Sequence, residues 1–216
     1  MTSDFRIAVL LSGAGSTMLN LQSHIASGDV PGKIVVVVSS RKNVLGVERA
    51  KSLGIPTRIL HRTPFIANGV FDADAYASAL CDIMKEFAPQ LVVMAGFMTR
   101  LSGVFLSRYP TINVHPALLP MFGGEGFFGH HVHEAVLRSG VKITGATVHF
   151  ADPEYDKGPI IAQEAVAVLE TDSPDTLAAR VQEAERRIYP EAVRLIALGL
   201  VEIVGCRTRI KEMGSP

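Results

Sequence analysis

The chain has 216 residues, 48% of them hydrophobic, which is enough to form the core of a globular protein. Its 21 basic and 21 acidic residues give no net charge, so the strongly basic surface of a protein that binds nucleic acid or an anionic membrane is excluded. The first apolar run is too short for a signal peptide, and no run reaches the roughly 20 residues that a membrane-spanning helix needs. The two cysteines form no CxxC pair, so we expect free thiols and a cytoplasmic location.

The first half of the chain alternates apolar strands with helical patterns. Strands are predicted at residues 5–12, 33–40, 57–61, 90–97 and 111–114, and helices at residues 13–28, 43–54 and 71–89. Asp72 or Asp74 can cap the third helix, and Pro89 ends it. Uninterrupted runs such as the four valines at 35–38 favour a parallel sheet covered by helices on both faces.

The second half follows a different pattern. Residues 142–152 and 158–170 form two longer strand-like runs joined by a loop, which suits a mixed extension of the sheet. Residues 173–199 are helical, with Ser173 as N-cap, Pro174 at the first position and a kink at Pro190. The predicted fold class is therefore α/β: a doubly wound, mostly parallel sheet with helices on both faces and a mixed C-terminal extension.

A glycine-rich turn, SGAGST, joins the first strand to the first helix at residues 12–17. Glycines let a ligand approach the backbone, and the free amides at a helix N-terminus bind phosphate. Met18 occupies the third glycine position of a dinucleotide fingerprint, and no P-loop lysine follows. The alternatives are an anion site and a plain tight turn.

Asn113 and His115 interrupt an apolar strand and share one of its faces, because side chains alternate along a strand. The histidine can exchange a proton near neutral pH, and the asparagine amide can donate to a developing oxyanion. The carboxyl end of an inner strand is where open α/β sheets bind ligands. By themselves, the two residues favour the alternative, a buried polar pair that fixes the loop around Pro116.

Two loops carry further polar side chains. Residues 149–159 include Asp152, Glu154 and Asp156, any of which can orient His115, unless the loop is only a solvated acidic hairpin. Residues 121–137 are rich in glycine, phenylalanine and histidine and suggest a mobile loop that covers a ligand and leads into a helix. The sequence lacks the second histidine of an HExxH zinc motif, so we expect no metal. It also lacks the nucleophile elbow of a serine hydrolase.

Together these segments resemble the phosphoribosylglycinamide formyltransferase family. The similarity runs in order through LLSGAGST, AGFMTRLS, INVHPALLP, TGATVHFADPEYDKGPIIAQ and RVQEAERRIYP, and so covers nearly the whole chain. It implies one formyltransferase domain at 1–216, with a Rossmann-like phosphate-binding lobe at 1–116 and a folate-site and C-terminal lobe at 117–216. It also implies formyl transfer from 10-formyltetrahydrofolate, a co-substrate, to the amino group of glycinamide ribonucleotide in de novo purine (IMP) synthesis, without a metal.

The resemblance implies a role for each matching residue. Asn113 would hydrogen-bond the formyl oxygen as it becomes an oxyanion, and His115 would stabilise that charge and protonate the leaving folate nitrogen. Asp156 would hold His115 or a bridging water and help to move the proton of the attacking amine. The remaining matches are the phosphate loop at Gly13, Gly15, Ser16 and Thr17, the ribose contact at Glu185, and the folate site at Met98, Thr99, Arg100, Leu101, Asp152 and Asp156.

Other functions stay open at this stage. A 10-formyltetrahydrofolate hydrolase would use the same residues with water as acceptor, but such relatives usually carry an added N-terminal regulatory domain. A nucleotide-binding oxidoreductase is disfavoured by Met18 and by the absence of an acidic residue after the second strand. The expected partners are two small molecules, with no nucleic acid and no membrane, and a homodimer is compatible with the chain. The longer loop at 121–133 leaves His130, His131 and His133 without an assigned role.

Overall fold

The computed structural model describes residues 4–212. The chain divides into two compact units between Ile112 and Asn113. The sequence placed the boundary between its lobes after residue 116, and the prediction of one continuous domain stays a prediction.

The first unit contains the strands and helices predicted for the first half, with two short additions. Its strands are β1 (Arg6–Leu11), β2 (Lys33–Ser39), β3 (Thr57–Ile59), β4 (Ile66–Ala67), β5 (Val70–Phe71) and β6 (Leu91–Ala95). Its helices are α1 (Ser16–Ala26), α2 (Leu45–Ser52), α3 (Ala73–Phe87) and α4 (Gly103–Leu106), with a 3-10 turn at Thr63–Phe65. The strand β7 (Thr111–His115) crosses the division between the units.

The sheet of the first unit is parallel, in the order β3-β2-β1-β6. Ala8 and Leu10 of β1 belong to a buried cluster that includes Tyr76 and Leu80 of α3. Leu11 points to the opposite face, because successive side chains alternate, and there it contacts the glycines that begin α1 and α2. Helices therefore cover both faces, and this explains why β1 is apolar without interruption.

The second unit places β7 beside β8 (Ile143–Phe150) and β8 beside β9 (Ile160–Ala167). β8 and β9 are antiparallel, as the mixed extension requires. Helices α5 (His130–Ser139) and α6 (Pro174–Ala197) follow the predicted positions, and strands β10 (Val201–Val204) and β11 (Arg207–Ile210) form a final antiparallel hairpin. The predicted α/β fold class, mostly parallel with a mixed extension, is confirmed.

The predicted helix starts are confirmed in detail. The Asp72 side chain accepts a hydrogen bond from the Ala75 amide, which makes Asp72 rather than Asp74 the N-cap of α3. Ser173 and Thr176 form a reciprocal capping box at the start of α6, and Pro174 occupies its first turn. Helix α6 continues through Pro190 to Ala197.

The sequence analysis missed both short hairpins. Strands β4 and β5 are joined by Asn68 and Gly69, both with positive φ, which is the two-residue turn that an Asn-Gly pair favours. Strands β10 and β11 are joined by a turn that contains Cys206. Both Cys81 and Cys206 are free thiols, as expected.

Candidate active site

Strand β7 places Asn113 and His115 on one face, two residues apart. The side chain of His115 is buried, whereas Asn113 is half-buried. The side chain of Ile112 points to the opposite face of the strand and is fully buried in the core. The strand thus fixes the spacing of an amide and an imidazole along one of its faces.

The loop between β8 and β9 brings Asp156 to His115. The carboxylate Oδ2 lies 3.5 Å from His115 Nδ1, and the Asp156 side chain is 12% exposed. Asp156 has a φ of +57°, a left-handed conformation that is uncommon for residues other than glycine and often occurs at functional sites. Of the three acidic residues predicted in this loop, Asp156 is the one that the structure pairs with His115.

The backbone of the glycine-rich loop contacts both of these side chains. His115 Nε2 donates to the carbonyl oxygen of Phe122 at 2.7 Å, since a carbonyl can only accept. The amide of Gly124 donates to Asp156 Oδ2 at 2.9 Å. A Cβ at Gly123 would lie 2.4 Å from the Leu119 side chain, so the loop packs closely at this point. The sequence could suggest a covering loop but could not show which backbone atoms face the two side chains.

A second buried histidine, His149, lies at the end of β8 near Asp156. Its Nε2 is 3.6 Å from Asp156 Oδ1, and its side chain is 2% exposed. Burial lowers the pKa of His149, although the hydrogen bond to the Phe150 carbonyl and the charge of Asp156 oppose that shift. Sequence reasoning missed this residue. The available signal was the polar alternation of Thr147 and His149 around Val148, which repeats the pattern of Asn113 and His115.

Thr147 holds the segment that follows His115. Its hydroxyl donates to the Ala117 carbonyl at 2.6 Å and accepts from the Leu119 amide at 3.0 Å. Gln163 Nε2 donates to both the Thr147 hydroxyl and the Leu119 carbonyl, each at 3.0 Å. These bonds satisfy buried backbone groups after β7 and fix the position at which the chain leaves the strand.

The other histidines of the glycine-rich loop and of α5 lie apart from the Asp156 carboxylate. Burial lowers the pKa of His133, and the neighbouring His130 and His115 add to that shift. His130 and His131 are exposed, near Asp175 and Glu134 respectively. Within residues 4–212, no group of three or more His, Cys, Asp or Glu side chains is placed to hold a metal ion.

A cavity of about 370 Å³ borders Asp156 in the second unit. Leu119 and Pro120 line it on one side, and Cys206 to Thr208 of the final hairpin line it on another. Neither Asn113 nor His115 is among its described lining residues, so the cavity reaches the cluster only from the side of the carboxylate.

The predicted phosphate loop lies in the first unit and begins α1. Gly15, with a φ of +75°, is the N-cap residue, and no side chain in the described range caps the helix. A Cβ at Gly15 would lie 2.8 Å from the Cα of Gly46 at the start of α2, so only glycine fits without a shift. The amides of Ser16 and Thr17 are thus at an uncapped helix N-terminus, where an anion is stabilised.

Ser12 connects the ends of three neighbouring strands in the first unit. Its hydroxyl is 2.6 Å from that of Ser40, which follows β2, and it accepts from the amide of Met98, which follows β6. Thr99 and Leu101 are buried. Met98 and Arg100 are exposed. Sequence reasoning missed the linking role of Ser12.

Glu185 lies on α6 in the second unit and is partly buried. Burial raises the pKa of its carboxyl to about 7, and the neighbouring Arg186 opposes that shift. Asp152 is exposed and accepts a hydrogen bond from the Glu154 amide within its own loop.

Among the helices of residues 4–212, none is long and apolar enough to cross a membrane.

Comparison with known proteins gives one consistent result. The formyl transferase family profile matches residues 5–193. The chain is 36% identical over 199 residues to the phosphoribosylglycinamide formyltransferase of Escherichia coli (strain K12), covering 91% of this chain and 89% of that protein. It is 41% identical over 203 residues to the trifunctional purine biosynthetic protein adenosine-3 of Bos taurus, but spans only 19% of that protein's length and 92% of its own.

Solved structures agree. The glycinamide ribonucleotide transformylase 1 of Symbiobacterium toebii superposes with a TM-score of 0.88 at 37% identity, covering 96% of this chain and 94% of that one. The phosphoribosylglycinamide formyltransferase of Anaplasma phagocytophilum gives a TM-score of 0.85 at 33% identity, covering 99% and 97% of the two chains. The resemblance drawn from the sequence motifs is therefore confirmed.

Proposed function

The chain belongs to the formyl transferase family, and on that premise we propose that it transfers the formyl group of 10-formyltetrahydrofolate to the amino group of glycinamide ribonucleotide. The products are formylglycinamide ribonucleotide and tetrahydrofolate, in a step of purine biosynthesis. The observation that carries the proposal is the cluster of an amide, an imidazole and a carboxylate in the second unit, with His115 Nδ1 3.5 Å from Asp156 Oδ2. The names of the relatives support the choice of acceptor.

Asn113 stabilises the developing oxyanion. When the amine attacks the formyl carbon, the formyl oxygen gains negative charge, and a fixed amide donor lowers the energy of that transition state. Loss of one such donor typically costs roughly 10²–10³ in rate. Strand β7 holds Asn113 beside His115, which in its cationic form stabilises the same charge.

His115 and Asp156 move the protons. The attacking amine loses one proton and the leaving folate nitrogen gains one, so the reaction needs a donor and an acceptor within one site. Asp156 Oδ2 lies 3.5 Å from His115 Nδ1 and can hold the imidazole in place during the transfer. Before His115 Nε2 can donate to a substrate, it has to exchange the Phe122 carbonyl for the substrate atom, and the glycines that follow Phe122 permit that movement.

Binding is assigned to further residues, together with Asp156 of the cluster. Gly13, Gly15, Ser16 and Thr17 hold the 5′-phosphate at the start of α1, and Glu185 meets the ribose. Met98 to Leu101 and the loop from Asp152 to Asp156 hold the folate. The mechanism uses no metal. The site serves two small molecules in the cytoplasm, without nucleic acid or a membrane, and the protein can act as a homodimer.

An acceptor-dependence assay tests the proposal against the hydrolase alternative. Purified protein is given 10-formyltetrahydrofolate with and without glycinamide ribonucleotide, and the formation of tetrahydrofolate is followed by absorbance. We expect turnover only when the acceptor is present. Equal turnover in its absence would assign a hydrolase instead, and no turnover in either case would reject both activities.

Two variants test the assigned roles. We expect His115→Ala and Asp156→Asn each to abolish turnover while folate binding, measured by calorimetry, stays detectable. The matched controls are His24→Ala and Asp175→Asn, which change side chains of the same types at more exposed positions. Wild-type rates in either test variant would contradict the roles, even if the acceptor dependence held.

A further inference from the structure

Buried His149 has one nitrogen whose protonation is fixed by the backbone. Its Nδ1 lies 2.9 Å from the carbonyl oxygen of Phe150, and because a carbonyl can only accept, Nδ1 carries a hydrogen. The other nitrogen, Nε2, has no hydrogen-bond partner among residues 4–212, although it is buried. The polar atom in front of it is Asp156 Oδ1, at 3.6 Å.

His115 has the same arrangement on the other oxygen of the carboxylate. Its Nε2 donates to the Phe122 carbonyl, so its Nδ1 is the nitrogen that faces Asp156 Oδ2, at 3.5 Å. Asp156 therefore lies between two imidazoles. In each ring, the nitrogen that faces away from Asp156 donates a hydrogen bond to a backbone carbonyl. The charge of Asp156 favours the protonated form of His149, and the charge of His115 disfavours it.

This geometry requires a proton. A neutral His149 with hydrogen on Nδ1 would place the lone pair of Nε2 against a carboxylate oxygen, and an acceptor that faces another acceptor leaves the buried Nε2 without a hydrogen bond. One added proton, on Nε2 or on Oδ1, converts the contact into a charge-assisted hydrogen bond after a small approach of the two atoms. Two buried groups that share a proton titrate as a unit.

We propose that His149 is a positioning residue that shares a proton with Oδ1 of Asp156 and thereby holds Oδ2 toward His115. The consequence for catalysis rests on the proposed formyl transfer. The N–H bond of the attacking amine breaks, and its proton passes to the His149–Asp156 pair. A proton from His115 forms the N–H bond of the leaving folate nitrogen, and the pair then returns its proton to His115, so no proton is gained or lost overall.

Two substitutions separate the proton-sharing nitrogen from the rest of the ring. His149→Asn places an amide near the position of Nδ1 and can keep the bond to Phe150, but it removes the group that faces Asp156. His149→Gln places a donor near the position of Nε2 that cannot titrate. Thr144→Val is the control, because Thr144 is a buried polar residue of the same strand whose hydroxyl has no partner in the described range.

We expect His149→Asn to lower kcat by about 10- to 100-fold, the range for a lost hydrogen bond to a charged group, with KM for both substrates nearly unchanged. The pH profile of kcat should shift, because Asp156 has lost a titrating partner. His149→Gln should recover most of kcat at its optimum but keep a shifted profile. Thr144→Val should keep the wild-type kcat and profile. Wild-type kcat and profile in His149→Asn would overturn the proposal.

A spectroscopic measurement separates this proposal from the proposed function. In protein with ¹⁵N-labelled histidine, protonated and bare imidazole nitrogens have well-separated chemical shifts, and the His149 signals are assigned by their loss in His149→Gln. We expect the Nε2 signal of His149 to move in Asp156→Asn and to titrate in wild-type protein as one of a coupled group. An unprotonated Nε2 whose chemical shift is the same in wild type and in Asp156→Asn would refute the shared proton, whether or not the protein turns over any substrate.

Discussion

Replacing Glu185 by glutamine should stabilise the protein at alkaline pH. Glu185 lies partly buried on α6, and burial raises the pKa of its carboxyl from 4.5 to about 7. The folded protein therefore favours the protonated, neutral carboxyl, whereas the unfolded chain releases the proton at its ordinary pKa. A glutamine has nearly the same shape and stays neutral at every pH.

The size of the effect follows from the pKa. Since each pKa unit is worth about 1.4 kcal/mol, charging the buried carboxyl lowers the free energy of unfolding by up to about 3 kcal/mol. The stabilisation from the protonated carboxyl is fully present below pH 4.5 and is lost as the pH rises through about 7. We therefore expect the free energy of unfolding of Glu185→Gln to equal that of wild type at pH 4 and to exceed it by up to about 3 kcal/mol at pH 8.

Urea unfolding at a series of pH values measures this difference. Glu183→Gln is the matched control, because Glu183 is an exposed carboxylate on the same helix and should give no pH-dependent difference. A constant difference between Glu185→Gln and wild type across pH 4 to 8 would refute the reasoning. If Glu185 also meets the ribose, the same variant should raise KM for glycinamide ribonucleotide and leave KM for the folate unchanged.

Two further variants test the supports of the cluster. Thr147→Val should lower the free energy of unfolding by about 1–3 kcal/mol and reduce kcat, because it leaves the Leu119 amide without its buried acceptor; unchanged urea unfolding would contradict this. Gly158→Ala should lower the melting temperature and kcat, because its Cβ would lie 1.9 Å from the Phe150 carbonyl oxygen. Gly13→Ala, whose Cβ meets no described atom within 4 Å, should change the unfolding free energy by less than about 1 kcal/mol, and an equal loss in both variants would show that the Phe150 contact is not the cause.

Periodicity determined most of the fold. The uninterrupted apolar runs of β1 and β2 indicate strands buried on both faces, and the structure covers both faces with helices. Asp72 and Ser173 begin their helices because a cap is a contact within four residues, which the sequence displays directly. The same locality places Asn113 and His115 on one face of β7.

Other features could not be predicted because they depend on the conformation of loops, which the local side-chain pattern does not fix. His149 and Asp156 meet through the conformation of a loop that includes a non-glycine residue with positive φ. The Phe122 carbonyl and the Gly124 amide face the cluster, but every residue has a carbonyl and nearly every residue an amide, so no residue type marks them.

The sequence by itself determined the main strands and helices in chain order, the caps of α3 and α6 and the polar pair on β7, because each depends on the side-chain pattern over a few residues. Only the tertiary structure decided which of the three loop carboxylates reaches His115. It also placed a second imidazole, that of His149, on the other side of the Asp156 carboxylate. Those positions are set by the path of the backbone between strands, and that path is fixed by packing and hydrogen bonds to parts of the chain that the local pattern does not contain.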